Sequence, residues 1–225
     1  MSSEKVKEER KEKFMSFLTM EQLFQQAKVD FSVSDIISPH VRILFILESP
    51  HREEIKHHIP LAGSSGRSVS KVLFEGKQSL PFGLLLKENS DKKPYCHLGI
   101  LNVCPFPLQS AAIPDSKWCD SHPEFVSAAE KVRVGNDKDV YRDETWNAFQ
   151  EIMQQDFNQR LTELVHQPLV IVPCGRFAQK QFRLADVQSS NWKVVSDVPH
   201  PSYNSWSKDR YSAQIAEVTE AVGYI

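Results

Sequence analysis

The chain has 225 residues, 40% of them hydrophobic and 25% charged, with a mean hydropathy of −0.40; that is enough apolar material for one core, and it excludes a wholly disordered chain and disfavours two independent enzymatic domains. Lys+Arg 27 against Asp+Glu 29 leaves a formal charge of −2, which argues against the broad basic surface of a non-specific nucleic-acid coat but permits a local basic groove. No apolar run nears the roughly 18–20 residues of a membrane span, and the opening MSSEKVKEERKEKF lacks the apolar stretch of a signal peptide, so a cytoplasmic protein with no membrane partner is expected.

In chain order, residues 1–30 read as an N-terminal helical arm packed on the body, because Phe14, Phe17, Leu18, Leu23 and Phe24 recur at helical spacing beneath a Glu/Lys-rich face. Residues 31–225 then form one α/β domain. Val41–Leu47 is an apolar run, continuous but for Arg42, that stops at Glu48-Ser49-Pro50, as expected of a strand buried on both faces of a parallel sheet. Leu98–Val103 is a second such run and stops at Cys104-Pro105. Leu169–Val172 is a third, ending at Pro173-Cys174-Gly175, and Trp192–Val195 a fourth, leading to Pro199-His200-Pro201-Ser202. Helical patterns lie between and after them, at Ser68–Phe74, Tyr141–Val165, Arg176–Leu184 and Ser207–Val222, while Pro105–Asp139, rich in Pro, Asp, Ser and Lys, reads as a long irregular excursion. Strands alternating with helices imply a mostly parallel sheet covered on both faces.

In such a sheet, ligands bind beyond the carboxyl ends of the strands, so the informative residues are Glu48, Ser49, Asn102, Cys174, Gly175 and His200. Glu48 offers a carboxylate for acid, base or cation-stabilising work, or else a solvated strand-end charge. Asn102 follows an apolar run and presents a donor and an acceptor, suited to reading a base edge or to satisfying local backbone. His200 is held between two prolines that stiffen its backbone. Pro60-Leu61-Ala62-Gly63-Ser64-Ser65-Gly66-Arg67-Ser68 is either a phosphate-cradling turn or a Gly/Ser turn in which Ser68 caps the next helix. It is neither a Walker A nor a Rossmann fingerprint. His57 and His58 read as a solvated pair rather than metal ligands, and Cys96, Cys104, Cys119 and Cys174 contain no C-x-x-C pair.

Taken together, Leu47-Glu48-Ser49-Pro50-His51 with the Gly-rich segment, Leu101-Asn102-Val103-Cys104-Pro105, Val172-Pro173-Cys174-Gly175-Arg176-Phe177-Ala178 and His200-Pro201-Ser202 resemble, in order and spacing, the uracil-DNA glycosylase superfamily, especially its bacterial and archaeal branches. The resemblance spans about residues 41–222. It implies a three-layer αβα sandwich around a four-stranded, mostly parallel sheet, and a hydrolase that cleaves the N-glycosidic bond of a damaged base flipped out of DNA, uracil being the simplest case. Glu48, Ser49 and His200 would be its catalytic groups, and Asn102, Leu61 and Pro50 would bound the base. Ser49 stands where several relatives carry a water-activating Asp or Asn, and Leu61 where they carry a stacking aromatic.

Gly63, Ser64, Ser65, Gly66, Arg67, Ser68, Ser202, Lys208 and Arg210 are the expected DNA contacts, and Tyr203 and Trp206 are read either as a wedge in the vacated stack or as an aromatic pair packed on the C-terminal helix. No metal, iron–sulfur cluster or organic cofactor is expected, DNA is the expected partner, and the chain is expected to be monomeric. Two other readings stay open: a non-catalytic nucleic-acid or nucleotide-binding protein on the same fold, and another small-molecule hydrolase.

Overall fold

A computed structural model describes residues 19–223. Phe14, Phe17 and Leu18, three of the five apolar positions read as the N-terminal helix, lie outside them. Residues 19–31 are helical (α1), and Met20, Phe24, Ala27 and Phe31 turn one stripe into the core. The Phe24 ring meets Phe106 edge-on at 4.9 Å, so this helix is part of the body rather than a loose arm.

Four strands follow: β1 (Ile43–Leu47), β2 (Leu98–Asn102), β3 (Leu169–Pro173) and β4 (Trp192–Val194). They pair in the order β2-β1-β3-β4, and every pairing is parallel. Every side chain of β1 and β2 is buried, which is why these segments read as unbroken apolar runs. β4 is a short, partly exposed edge strand.

Alternation along the strands splits the core into two layers. Ile43, Phe45, Leu47, Leu98 and Ile100 face one cluster, shared with helices α3 (Ser64–Leu73), α4 (Phe82–Glu88) and α9 (Ser212–Gly223). Leu44, Ile46, Leu101 and Val103 face the other, built with α1, α6 (Pro123–Val134), α7 (Glu144–Thr162) and α8 (Arg176–Leu184). This is the expected three-layer α/β sandwich.

Several local expectations are corrected. The Pro105–Asp139 excursion is partly helical, holding α5 (Ser116–Ser121) and α6. Phe125, Ala128, Ala129 and Val132 bury one face of α6 at i, i+3, i+4 and i+7, and Pro123 starts it without loss because the first helical N–H needs no partner. The charged stretch after His51 is a short helix, α2 (Arg52–His57), that buries none of its residues. α3 starts at Ser64 with Gly63 at its N-cap, so Ser68 lies inside the helix and does not cap it. The helix expected from Ser207 begins only at Ser212, preceded by tight turns at Ser202–Ser207 and Asp209–Tyr211.

Candidate active site

The strand register levels the carboxyl ends of the sheet: Leu47 lies opposite Asn102, and Ile46 opposite Pro173. The chain leaves each strand at the same edge. The Cys104 amide donates to the Glu48 carbonyl at 3.1 Å, and the Gly175 amide donates to the Val198 carbonyl at 2.8 Å, bringing the segment before His200 onto the end of β3. A cleft of about 530 Å³ opens there, lined by Glu48, Ser49, Leu61 and Gly63 on one side and by His200, Ser202 and Tyr203 on the other.

Gly175 makes the approach of His200 possible. Its φ is +89°, and a Cβ at this position would stand 2.7 Å from the Cβ of His200; only glycine satisfies both requirements. Behind the histidine, the indole of Trp206 donates to the Pro199 carbonyl at 2.9 Å and the Ser205 hydroxyl donates to the His200 carbonyl. Trp206 is buried, with its ring 6.1 Å from Phe45. The expectation that it wedges into DNA is therefore corrected: it is a core residue that anchors the turn carrying His200. Tyr203, in contrast, is 91% exposed at the cleft rim, on backbone of φ 54° that a side-chain-bearing residue adopts only at a cost of roughly 1 kcal/mol.

The protonation of His200 follows from its neighbours. The backbone N–H of Ser202 donates to His200 Nδ1 at 3.2 Å, and since an N–H can only donate, Nδ1 is the acceptor and the ring proton sits on Nε2. Burial pushes the imidazole down to about 4, so it is neutral near pH 7 with an Nε2–H that has no partner among the described residues.

Glu48 stands half-buried on the facing wall, and Arg133 Nη1 lies 3.5 Å from its Oε1. Burial raises the Glu48 carboxyl above its ordinary value, and the Arg133 guanidinium pulls it back. Ser49 Oγ faces the backbone N–H of Leu108 at 3.4 Å. Glu54 ties the two loops of this wall together: one carboxylate oxygen accepts the His51 N–H at 2.7 Å and the other the Leu61 N–H at 2.5 Å. Its burial pushes it up to about 7. Leu61, buried and in the left-handed region at φ 51°, is held by this bond. Its carbonyl lies so close to Gly66 that a Cβ there would meet it at 1.8 Å.

Asn102 is fully buried at the end of β2. The residues lining the cleft do not include it. Its backbone is braced by Asp35, which accepts the Asn102 N–H at 3.0 Å, and by Arg160, which donates to the Asn102 and Val103 carbonyls at 2.7 Å each. Its side-chain amide has no partner on either atom. Buried polar atoms are nearly always paired, so this one is held ready without a protein partner.

Among the expected DNA contacts, Gly63, Ser64, Ser65, Ser202 and Tyr203 line the cleft, while Gly66 is buried under Leu61. The Ser68 hydroxyl donates to Asn204 at 3.1 Å, tying α3 to the turn after His200. Arg67, Lys208 and Arg210 are exposed but do not line the cleft, so the groove they were expected to border has its nearest cation in Arg133. Pro50 is buried beside the cleft without lining it. Sequence reasoning missed Glu54 and Arg133, as well as the Asp35–Arg160 brace.

The four cysteines stand on separate elements, Cys104 and Cys174 are buried with thiols pushed up, and no group of three or more His, Cys, Asp or Glu among the described residues is placed to hold a metal. These residues do not fit an iron–sulfur cluster. A comparison with protein families matches residues 34–222 to the uracil DNA glycosylase superfamily. No curated protein matches the chain.

Proposed function

Because the chain belongs to the uracil-DNA glycosylase superfamily, we propose that it hydrolyses the N-glycosidic bond of a damaged base flipped out of DNA, with uracil as the substrate base. The observation that carries this reading is the placement of Glu48 and a neutral, Nε2-protonated His200 in one cleft at the carboxyl edge of the sheet. As the C1′–N bond breaks, its electron pair leaves with the base and negative charge grows on the base oxygen. The His200 Nε2–H is suited to receive that charge as a hydrogen bond without transferring its proton. The sugar meanwhile gains oxocarbenium character, which the Glu48 carboxylate stabilises while it orients the water that adds to C1′; that water's proton passes to the carboxylate and on to solvent, and the departed base anion takes a proton from solvent.

The unpartnered amide of Asn102 supports base reading, since it offers a donor and an acceptor to the edge of a flipped base that penetrates past Leu61. Gly63, Ser64 and Ser65 at the start of α3 bring free amides and the positive helix end to the cleft, where a phosphate of the flipped nucleotide would sit. Of the two wedge candidates, exposed Tyr203 remains.

A second reading, a non-catalytic binder of nucleic acid or nucleotides, draws on Ser49. A hydroxyl packed against the Leu108 amide is a poor water activator. Incubating the protein with oligonucleotides carrying uracil, hypoxanthine, xanthine or mismatches, followed by alkaline cleavage of abasic sites, separates the two. Strand cleavage at uracil is expected. Binding without cleavage of any member of the panel would replace the glycosylase by the binder.

A further inference from the structure

Arg133 is the one Lys or Arg among the described residues lining the cleft, and neither the motifs nor the strand ends account for it. It stands in the last turn of α6, inside the segment whose sequence reads as irregular, and 85 positions in sequence separate it from Glu48. Its side chain is about one-quarter exposed (27%). One guanidinium nitrogen lies 3.5 Å from Glu48 Oε1, and its Nε is buried without a partner. A buried donor left unpaired is destabilising. Fold stability alone therefore does not explain the conformation of this arginine.

We propose that Arg133 is the positioning residue of Glu48: it reaches across from α6, holds the carboxylate at the cleft wall through one oxygen, and supplies its counter-charge while leaving the other oxygen free for water and the sugar. The inference rests on the reading that Glu48 serves glycosidic hydrolysis. Its physical basis is the environment of the carboxylate. From α2, Glu53 and Glu54 line the same cleft, the Glu54 carboxyl pushed up to about 7 by burial, His51 and neutral His200 line it too, and the buried neutral thiol of Cys104 lies behind the strand ends. Arg133 is the only Lys or Arg among the described residues lining the cleft. Burial favours the protonated form of Glu48, and Arg133 opposes it both as a charge and as a hydrogen-bond donor. A single long contact also suits catalysis better than a bidentate clamp, which would occupy both oxygens and neutralise the carboxylate before the sugar cation forms.

The test uses the full chain and the substitutions Arg133→Met and Arg133→Gln, with Arg133→Lys as the conservative rescue. Single-turnover excision from a uracil-containing oligonucleotide is followed from about pH 5 to about pH 9, alongside DNA affinity, melting temperature and ¹³C titration of the Glu48 carboxyl, assigned against Glu48→Gln. In Met and Gln the acid limb should move to higher pH, about a tenfold rate loss at about pH 6 for each unit it moves, with the rate regained toward about pH 9. The Glu48 resonance should titrate later, DNA affinity should stay within about twofold, and Lys should restore most of the rate. A loss equal at all pH with weakened DNA binding would make Arg133 a phosphate contact and overturn the proposal, as would an unmoved Glu48 titration in either folded neutral variant. Were the wild type to excise nothing, the glycosylase reading would fall while the Glu48 titration still decided whether Arg133 holds that carboxylate. If Met proves unstable, Gln carries the same readout.

Discussion

At position 200 a histidine has one ring nitrogen committed and the other free, and everything asked of it follows from that. Nδ1 accepts from Ser202, burial holds the imidazole down at about 4, and Gly175 leaves the space in which it sits. His200→Ala should lower the single-turnover excision rate by about 10²–10³, the range for loss of one donor to a developing anion, while DNA affinity changes little. Because the ring stays neutral above about pH 5, the acid limb of the wild-type rate should come from Glu48 and should persist in His200→Ala. A variant that lost the acid limb together with the rate would transfer that titration to the histidine. The shared edge of Glu48 and His200 was legible in the sequence, since Glu48 directly follows the first apolar run and His200 lies between two prolines in the segment that follows the fourth. The tautomer was not, because it depends on where the Ser202 amide points.

The decisive element is the turn from Pro199 to Ser207. It carries His200 on its cleft side and Trp206 on its core side, and the Trp206 indole and Ser205 hydroxyl take the carbonyls of Pro199 and His200. Trp206→Ala should therefore destabilise the protein by about 3–5 kcal/mol, as loss of a large core side chain does, and should also slow excision by misplacing His200. Tyr203→Ala should leave the melting temperature unchanged, and it should slow base flipping if Tyr203 wedges. Denaturation midpoints and stopped-flow base-flipping signals measure the two effects. A stable Trp206→Ala protein with impaired flipping would return the wedge to Trp206. From sequence, Tyr203 and Trp206 were equivalent aromatics three positions apart. Only the packing of Phe45 against one of them distinguishes core from rim.

Over the whole molecule, two titrations with opposite sign shape stability against pH. Glu54 is raised from 4.5 to about 7, so the folded state holds its proton more tightly than the unfolded chain does. Its contribution is fully present below 4.5 and is lost as pH rises through 7. His200 is lowered from 6.5 to about 4, so the unfolded chain takes its proton first, and stability is lost as pH falls from 6.5 toward 4. Between 4.5 and 6.5 the two slopes oppose each other. Relative to wild type, Glu54→Gln should gain stability as pH rises from about 5 to about 8, by up to about 3 kcal/mol. His200→Asn should gain as pH falls through the acid range. Urea midpoints across pH measure both, and curves parallel to wild type would remove that residue from the pH dependence.

What the sequence determined by itself was the frame. Short runs of Val, Ile, Leu and Phe bounded by Pro, Gly and charged residues read as strands, the first three buried on both faces; helical segments between them cross back over a parallel sheet, and the residues past each run then share one edge. Glu48 and His200 could be grouped on that argument alone. The tertiary structure decided which groups surround them. The Arg133–Glu48 pair, the Asp35–Arg160 brace behind Asn102 and the Gly175–His200 contact each join segments far apart in the chain, and such pairings follow from packing, not from local pattern. The apolar face of α6 was present as Phe125, Ala128, Ala129 and Val132, yet it sits in a stretch dense with Pro, Asp, Ser and Lys. A weak helical stripe of two alanines, one phenylalanine and one valine becomes a helix there because Phe106, Trp118 and Phe149 pack against it.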